Sequence, residues 1–372
     1  MRIGVPKETK VHEYRVGLTP ESAAEAVAHG HEVLVQTAAG MGIGADDAEY
    51  RAAGAGIVGT AQEVFARADM IVKVKEPLPD ERAMLRAGQI LFTYLHLAPD
   101  PAQTRDLVSS GAVCIAYETV TDASGGLPLL RPMSQVAGRM SVQAGAHCLE
   151  KAQGGRGVLI GGVPGVLPAK VAILGGGVVG FNAAQMAVGM GADVTILDRS
   201  AAALERLAIH FEAAAKTRFS NRANLADAVA EADLVIGAVL VPGAAAPKLV
   251  TRDMVAGMKR GAVLVDVAID QGGCFETSRP TTHAEPTFVV DEVVHYCVAN
   301  MPGAMARTAT YALNNATLPH ALAIADKGWR TALRDDPHLA NGLNVWDGQI
   351  THAAVARDLG LPFTPLDVAL GA

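Results

Sequence analysis

The stretch from Val171 to Asp198, VAILGGGVVGFNAAQMAVGMGADVTILD, admits few folds. It opens with four consecutive apolar residues, Val171 to Leu174, the pattern of a strand buried on both faces. Gly175, Gly177 and Gly180 then set a G-x-G-x-x-G spacing. An apolar helical segment follows, and Val194 to Leu197 form a second strand ending at Asp198. Strand, glycine turn, helix and strand make one βαβ unit, which requires a parallel sheet around it. Each glycine has its own task. Gly175 permits a tight turn, Gly177 lets backbone approach a pyrophosphate, and Gly180 allows close packing of helix on strand. The helix N-terminus offers N–H groups and a positive dipole to phosphates. Asp198 stands where a carboxylate accepts hydrogen bonds from the adenosine ribose. A carboxylate there repels a 2′-phosphate, so NAD is expected over NADP, and the adjacent Arg199 softens that preference.

Val171 to Ala192 contains no charged residue and would trigger a hydropathy scan for a membrane span. Its clustered glycines, with Asn182 and Gln185, argue instead for a buried strand, turn and helix. The 372 residues suffice for about two domains, and with half of them hydrophobic and 19% charged they can build a large core. A net charge of −7 without a basic cluster argues against nucleic acid or an anionic membrane as partner. MRIGVPKE at the start leads straight into a short strand and charged residues, with no signal-peptide pattern. Cys114, Cys148, Cys274 and Cys297 form no C-x-x-C pair. They read as reduced, buried thiols of a cytoplasmic protein, and no metal site is expected.

The first third alternates strands and helices. Strands are expected at Ile3–Val5, Glu32–Gln36, Met70–Val74, Ile90–Leu95 and Val113–Tyr117. A helix opens at Thr19-Pro20-Glu21, with Thr19 as N-cap and Pro20 in the first turn. Helices near Ala61–Arg67, Asp80–Arg86 and Pro101–Ser109 fall between the later strands. Arg131 to Ala152 reads as one long helix leading to a Gly-rich loop, Gly154–Pro168. After Asp198 a helix is expected to about Ala215, with strands at Leu234–Leu240, Val263–Val267 and Cys297–Ala299. Ala304–Lys327 is helical in pattern, with an interruption near Pro319. The remaining residues suggest short helices and no strand. The fold class is α/β: two doubly wound Rossmann-like domains with mostly parallel sheets.

Ligands of such sheets sit beyond the carboxyl ends of the strands. Four polar residues are expected there: Arg15 after the first strand, Lys75 ending MIVKV, His96 ending ILFTYL, and Asp270 after AVLVDVAI. Arg15 suits a two-pronged grip on a carboxylate, and Lys75 suits the same carboxylate or a carbonyl oxygen. His96 exchanges protons near neutral pH, and Asp270 suits orienting or deprotonating water or an amine. Together they fit hydride-transfer chemistry on an amino or hydroxy acid. Taken singly each has a plainer reading. Arg15 and Lys75 are then solvated charges, His96 one structural histidine among 11, and Asp266 and Asp270 caps of a turn before Gly272-Gly273.

Motifs along the whole chain resemble the alanine dehydrogenases, a family that also includes the NAD-binding component of transhydrogenase. They are MRIGVPKE, EYRVGLTP (13–20), VKVKEP (72–77), YLHLA (94–98), LGGGVVG (174–180), GAVLVPGAAAPKLV (237–250), DVAIDQGGCFE (266–276), SRPTTH (278–283) and YCVANMPG (296–303). The resemblance implies NAD-dependent oxidative deamination of L-alanine to pyruvate and ammonium, and the reverse amination. It implies substrate binding by Arg15 and Lys75 and a catalytic pair, His96 and Asp270. NAD contacts would then fall on Ser134, Val178, Asp198, Ser220, Val239, Leu240, Val267, Ala268, Ile269, Asp270, Arg279, Val298, Ala299, Asn300 and Met301, beside the three fingerprint glycines. It further implies a substrate domain built from both chain ends (1–130 and 304–372), an NAD domain at 131–303, and a homohexamer. The transhydrogenase component exchanges hydride between nucleotides and is not expected to keep the pair that His96 and Asp270 represent.

Overall fold

The computed structural model describes residues 1–239 and 246–371. In chain order the first strands are β1 (Arg2–Val5), β2 (Glu32–Gln36), β3 (Gly56–Val58), β4 (Met70–Val72), β5 (Ile90–Thr93) and β6 (Val113–Ala116). The middle of the chain supplies β7 (Lys170–Leu174), β8 (Asp193–Asp198), β9 (Ala215–Phe219), β10 (Leu234–Gly237), β11 (Val263–Asp266), β12 (Thr287–Val290) and β13 (Val293–Tyr296). Near the C-terminus come β14 (Leu343–Trp346) and β15 (Gln349–Ile350).

These strands build two separate sheets in two compact units, one of residues Met1–Met133 with Gly303–Ala372, the other Ser134–Pro302. The first sheet has the order β15-β14-β6-β5-β4-β1-β2-β3 and the second β12-β13-β11-β10-β7-β8-β9. All neighbours are parallel except β14 with β6 and β15, and β12 with β13. Every residue of β4, β5, β6, β10, β11 and β13 is buried, as strands covered on both faces must be. In each sheet the strand order reverses beside a central strand, β1 in the first and β7 in the second. That reversal opens a crevice at the carboxyl ends.

The expected Thr19 cap is present: its hydroxyl accepts from the Ser22 N–H at 3.2 Å, and the helix Pro20–Ala28 follows. The helix Arg131–Cys148 ends earlier than expected and passes into a 3-10 turn, Lys151–Gln153. The uncharged Val171–Ala192 stretch divides into β7 and the helix Val178–Gly189. No helix among the described residues is long and apolar enough to cross a membrane.

Several expectations need correction. Cys297–Ala299 is not a strand. The pairing falls one step earlier, where β13 lies parallel to β11, and Val298 makes only an isolated bridge to Thr281. The helix after Asp198 covers only Ala201–Phe211, and β9 starts at Ala215. The helix Ala306–Lys327 runs through Pro319 without a break, held by buried Leu313, Thr317, Ala321 and Ile324. The C-terminal segment does contain strands. β14 and β15 form a hairpin around Asp347-Gly348, with φ of 47° and 75°. An Asp-Gly pair in such a two-residue turn is a strong hairpin signal, and it stood in the sequence. The β12–β13 hairpin turns on Asp291-Glu292, also at positive φ (50° and 61°), without a glycine to announce it.

Candidate active site

In the first unit the loops after β1, β4 and β5 carry Arg15, Lys75 and His96. Lys75 and His96 do not end their strands but stand three residues beyond them. The reason is visible in the backbone. After Val72 the amides of Val74 and Lys75 both donate to Glu8 Oε1, at 2.7 and 3.2 Å. After Thr93 the His96 N–H donates to Glu118 Oε1 at 2.6 Å, and the Leu95 N–H reaches both Glu118 oxygens at 3.2 Å. Each carboxylate thus replaces the ladder partner of two successive amides and turns the chain out of the sheet.

The solvated reading of Arg15 fails. Arg15 is 3% exposed, and its Nε and Nη2 donate to the two oxygens of Glu13 at 2.7 and 2.6 Å. Its Nη1 lies 3.1 Å from Met133 Sδ. Burial opposes the guanidinium charge, but Glu13 holds its pKa above the ordinary value. The loop is fixed from the far end of the chain: Asn314 Oδ1 accepts from the Thr19 N–H at 2.9 Å, and its Nδ2 donates to Gly17 O at 3.1 Å.

A second buried ion cluster underlies Lys75. Lys73, 1% exposed, donates to Glu8 at 3.1 Å and Glu81 at 2.7 Å. Burial works against the ammonium, yet these two carboxylates keep Lys73 protonated. Lys75 itself lies 3.4 Å from Glu76 Oε2, and Lys10 is hydrogen-bonded to the same side chain.

His96 is half exposed, with a left-handed φ of 48°. Its Nδ1 lies 3.7 Å from Glu76 Oε2, and its ring stacks on Tyr94 at 5.8 Å. Desolvation would lower its pKa, but the Glu118 and Glu76 carboxylates raise it above the ordinary value of 6.5 against the opposing charge of Lys75. Glu76, despite its own burial, is held well below the usual carboxylate range by His96, Lys75 and Lys10. The first unit therefore brings a paired guanidinium, an ammonium and a carboxylate-flanked imidazole to the carboxyl ends of one sheet.

In the second unit the glycine loop fits a dinucleotide. Gly175 has φ 110°, and a Cβ there would lie 2.6 Å from Ala238 O. A Cβ at Gly180 would overlap the Gly175 carbonyl oxygen, whereas one at Gly177 would meet nothing. Backbone contact is thus tight behind the loop, with space left in front of the N-terminus of the helix starting at Val178. Asp198 Oδ2 accepts from the Gly176 N–H at 2.6 Å and Oδ1 from the Ser200 N–H at 2.7 Å. The Asp198 carbonyl oxygen accepts from the Ser220 N–H at 2.9 Å.

The other expected dinucleotide contacts fall on loops and element ends of the same unit. Ser134 lies on the helix Arg131–Cys148 and Val239 just past β10, while Leu240 lies outside the described residues. Val267, Ala268, Ile269 and the exposed Asp270 share a 3-10 turn, Val267–Gln271. Asp266 is the capping residue of that turn. It is fully buried and accepts from the N–H groups of Ala268 (3.1 Å) and Cys274 (2.9 Å) and from Ser278 Oγ (2.5 Å). Arg279 lies over the Phe288 ring at 4.2 Å. Val298, Ala299, Asn300 and Met301 follow β13, and His283 Nε2 is 2.7 Å from Asn300 O.

Sequence reasoning named the residues at the strand ends but missed Glu8, Glu13, Glu76 and Glu118, which hold them. The only signal for them was an acidic residue in a loop beside a strand end, which is common in any chain.

The alanine dehydrogenase/PNT N-terminal domain family matches residues 4–137, and the corresponding C-terminal domain family matches residues 141–353. The chain belongs to the alanine dehydrogenase/PNT family. Within this family it is 62% identical to the alanine dehydrogenase of Halomonas elongata, over 100% of both chains. A solved L-alanine dehydrogenase structure superimposes with a TM-score of 0.94 at 53% identity, covering 97% of this chain and 99% of that one. A transhydrogenase structure from Sinorhizobium meliloti gives a TM-score of 0.82 at 26% identity, covering 95% and 100%. Both branches of the family thus share the two-sheet α/β architecture, and this member is closer in sequence to the dehydrogenases.

Proposed function

We propose that the protein is an alanine dehydrogenase: it catalyses NAD-dependent oxidative deamination of L-alanine to pyruvate and ammonium, and the reverse amination. The observation that carries this reading is full-length identity of 62% to an alanine dehydrogenase, joined to a first unit that gathers Arg15, Lys75 and His96 at the ends of one sheet. A nicotinamide dinucleotide fits the second unit, where the glycine loop leaves space at Gly177 and Asp198 ends β8. The Asp198 carboxylate favours NAD over its 2′-phosphorylated counterpart.

Bound there, NAD supplies the acceptor for the hydride lost from the substrate Cα. Arg15 and Lys75 hold the substrate carboxylate. Arg15 donates through Nε and Nη2 to Glu13 and through Nη1 to Met133 Sδ, contacts that fix the orientation of its guanidinium. Arg15 is paired with Glu13 and Lys75 with Glu76 at 3.4 Å, so each cation is held in place by a carboxylate of its own loop. His96 takes a proton as water adds to the imine carbon and returns one as ammonia departs, and Asp270 is assigned the second proton-handling role. Holding both reactants in fixed orientation supplies a large part of the acceleration. The reading includes a cytoplasmic setting and a homo-oligomer, a hexamer by family resemblance, which sedimentation of the purified protein would test.

The deciding assay is NADH formation on mixing purified protein with L-alanine and NAD. His96→Ala should abolish that turnover and leave NADH binding intact. A protein that binds NADH but never reduces NAD with L-alanine would instead match nucleotide-to-nucleotide hydride exchange, or an NAD-binding sensor.

A further inference from the structure

We infer that Glu118 is a positioning residue for the proposed reaction, holding the His96 turn in its active shape with a carboxylate charge beside it. The inference rests on the assignment of His96 above. Glu118 lies on the 3-10 turn Tyr117–Thr119, directly after β6. Its carboxylate receives the Leu95 and His96 amides at 2.6–3.2 Å. Successive amides can converge on one anion where the chain turns concave, and a nest of right- and left-handed backbone is one such turn. His96 supplies the left-handed residue, at φ 48°. The opposite side of the turn is held as well. Buried Gln103 donates through Nε2 to Leu95 O, and Thr104 Oγ1 donates to Leu97 O at 3.0 Å. The imidazole is therefore aimed by backbone that is fixed on both its N–H and C=O sides, and Glu118 is the only charged group among these anchors.

The same carboxylate also acts on the ring by its charge. Among the described residues, Glu118, Glu76 and Lys75 are the charged groups that act most on His96, and the titratable His352 and Tyr94 lie within reach of Glu118 as well. Glu118 thus links the shape of the turn to proton affinity. Glu8 grips the Val74 and Lys75 amides in the same manner, so a carboxylate clamp on two successive amides occurs twice, each time beneath a proposed functional side chain.

The test is the pH profile of kcat/KM for L-alanine oxidation in Glu118→Gln and Glu118→Asp. Glutamine keeps an oxygen for the two amides but removes the charge. Its acid limb should move to lower pH by about one unit, with the NADH dissociation constant unchanged. Aspartate keeps the charge but withdraws it by one methylene. It should retain the position of the limb and lose about tenfold or more in kcat. An unshifted limb in Glu118→Gln overturns the inference, as does an unchanged kcat in Glu118→Asp if the glutamine variant does not fold. His96→Ala run in parallel separates the two levels: an active His96→Ala enzyme removes the assignment of His96 itself, whereas an inactive one with unshifted Glu118 variants removes only the role of Glu118.

Discussion

If His96 handles protons as proposed, the two carboxylates beside its imidazole set the pH range in which each direction runs. Glu118 and Glu76 hold the pKa of His96 above 6.5 despite desolvation and Lys75. In the proposed role the ring must be neutral to accept a proton during alanine oxidation, so kcat/KM should rise with pH through a midpoint above the ordinary value of 6.5. Amination of pyruvate needs the imidazolium and should be retained below that midpoint. Paired pH profiles of the two directions check this, and an oxidation midpoint at or below 6.5 contradicts it. The same raised pKa has a stability consequence. The imidazolium contacts contribute fully below the unfolded value and are lost as pH rises through the folded one. Asp198 gives a second prediction at this scale. Asp198→Asn keeps an oxygen for the Gly176 amide but removes the charge, and the NADP-to-NAD ratio of kcat/KM should rise by about tenfold or more. An unchanged ratio would place nucleotide discrimination elsewhere. That Arg15, Lys75, His96 and Asp270 stand in the segments beyond strand ends was legible in the sequence, because apolar runs mark the strands. Glu13 and Glu118 were not, because their importance lies in the backbone amides and the guanidinium they face.

At the level of elements, the glycine loop is a packing device as much as a binding one. The helix Val178–Gly189 lies so close to the end of β7 that a side chain at position 180 would strike the Gly175 carbonyl. Gly180→Val should therefore cost about 1–3 kcal/mol and abolish NADH binding, as read by thermal melting and fluorescence titration. Binding of normal affinity would show that helix and strand can separate without cost. Parallel strands were well marked in the sequence, since burial on both faces makes them continuous apolar runs. The antiparallel edges were less so. β14 is four residues long and holds a buried Asn344, whose Nδ2 donates to Thr119 Oγ1 at 2.7 Å. Its polar residue conceals a strand whose partner is more than two hundred positions away.

Across the whole molecule, the first unit is interrupted by the second. β14 pairs antiparallel with β6, Leu343 opposite Ile115 and Val345 opposite Cys114. All four residues of β6 are buried. Deleting residues 337–372 should leave β6 as an apolar, unpaired edge, and such edges recruit other chains. The truncated protein is expected to aggregate on expression, visible as loss of the soluble fraction and increased light scattering. A soluble, monodisperse product would show that β6 does not need its partner.

The same pairing sets a delay during synthesis. A ribosome adding roughly 5–20 residues per second spends roughly 10–45 s between completing β6 and completing β14. For that interval the second unit can gather its whole sheet, since its residues are contiguous. The first unit must wait with one strand uncovered. Slower growth temperature lengthens the wait, whereas a chaperone that shields apolar edges makes it harmless, so yield in cells should depend on chaperone supply more than on the stability of the finished fold.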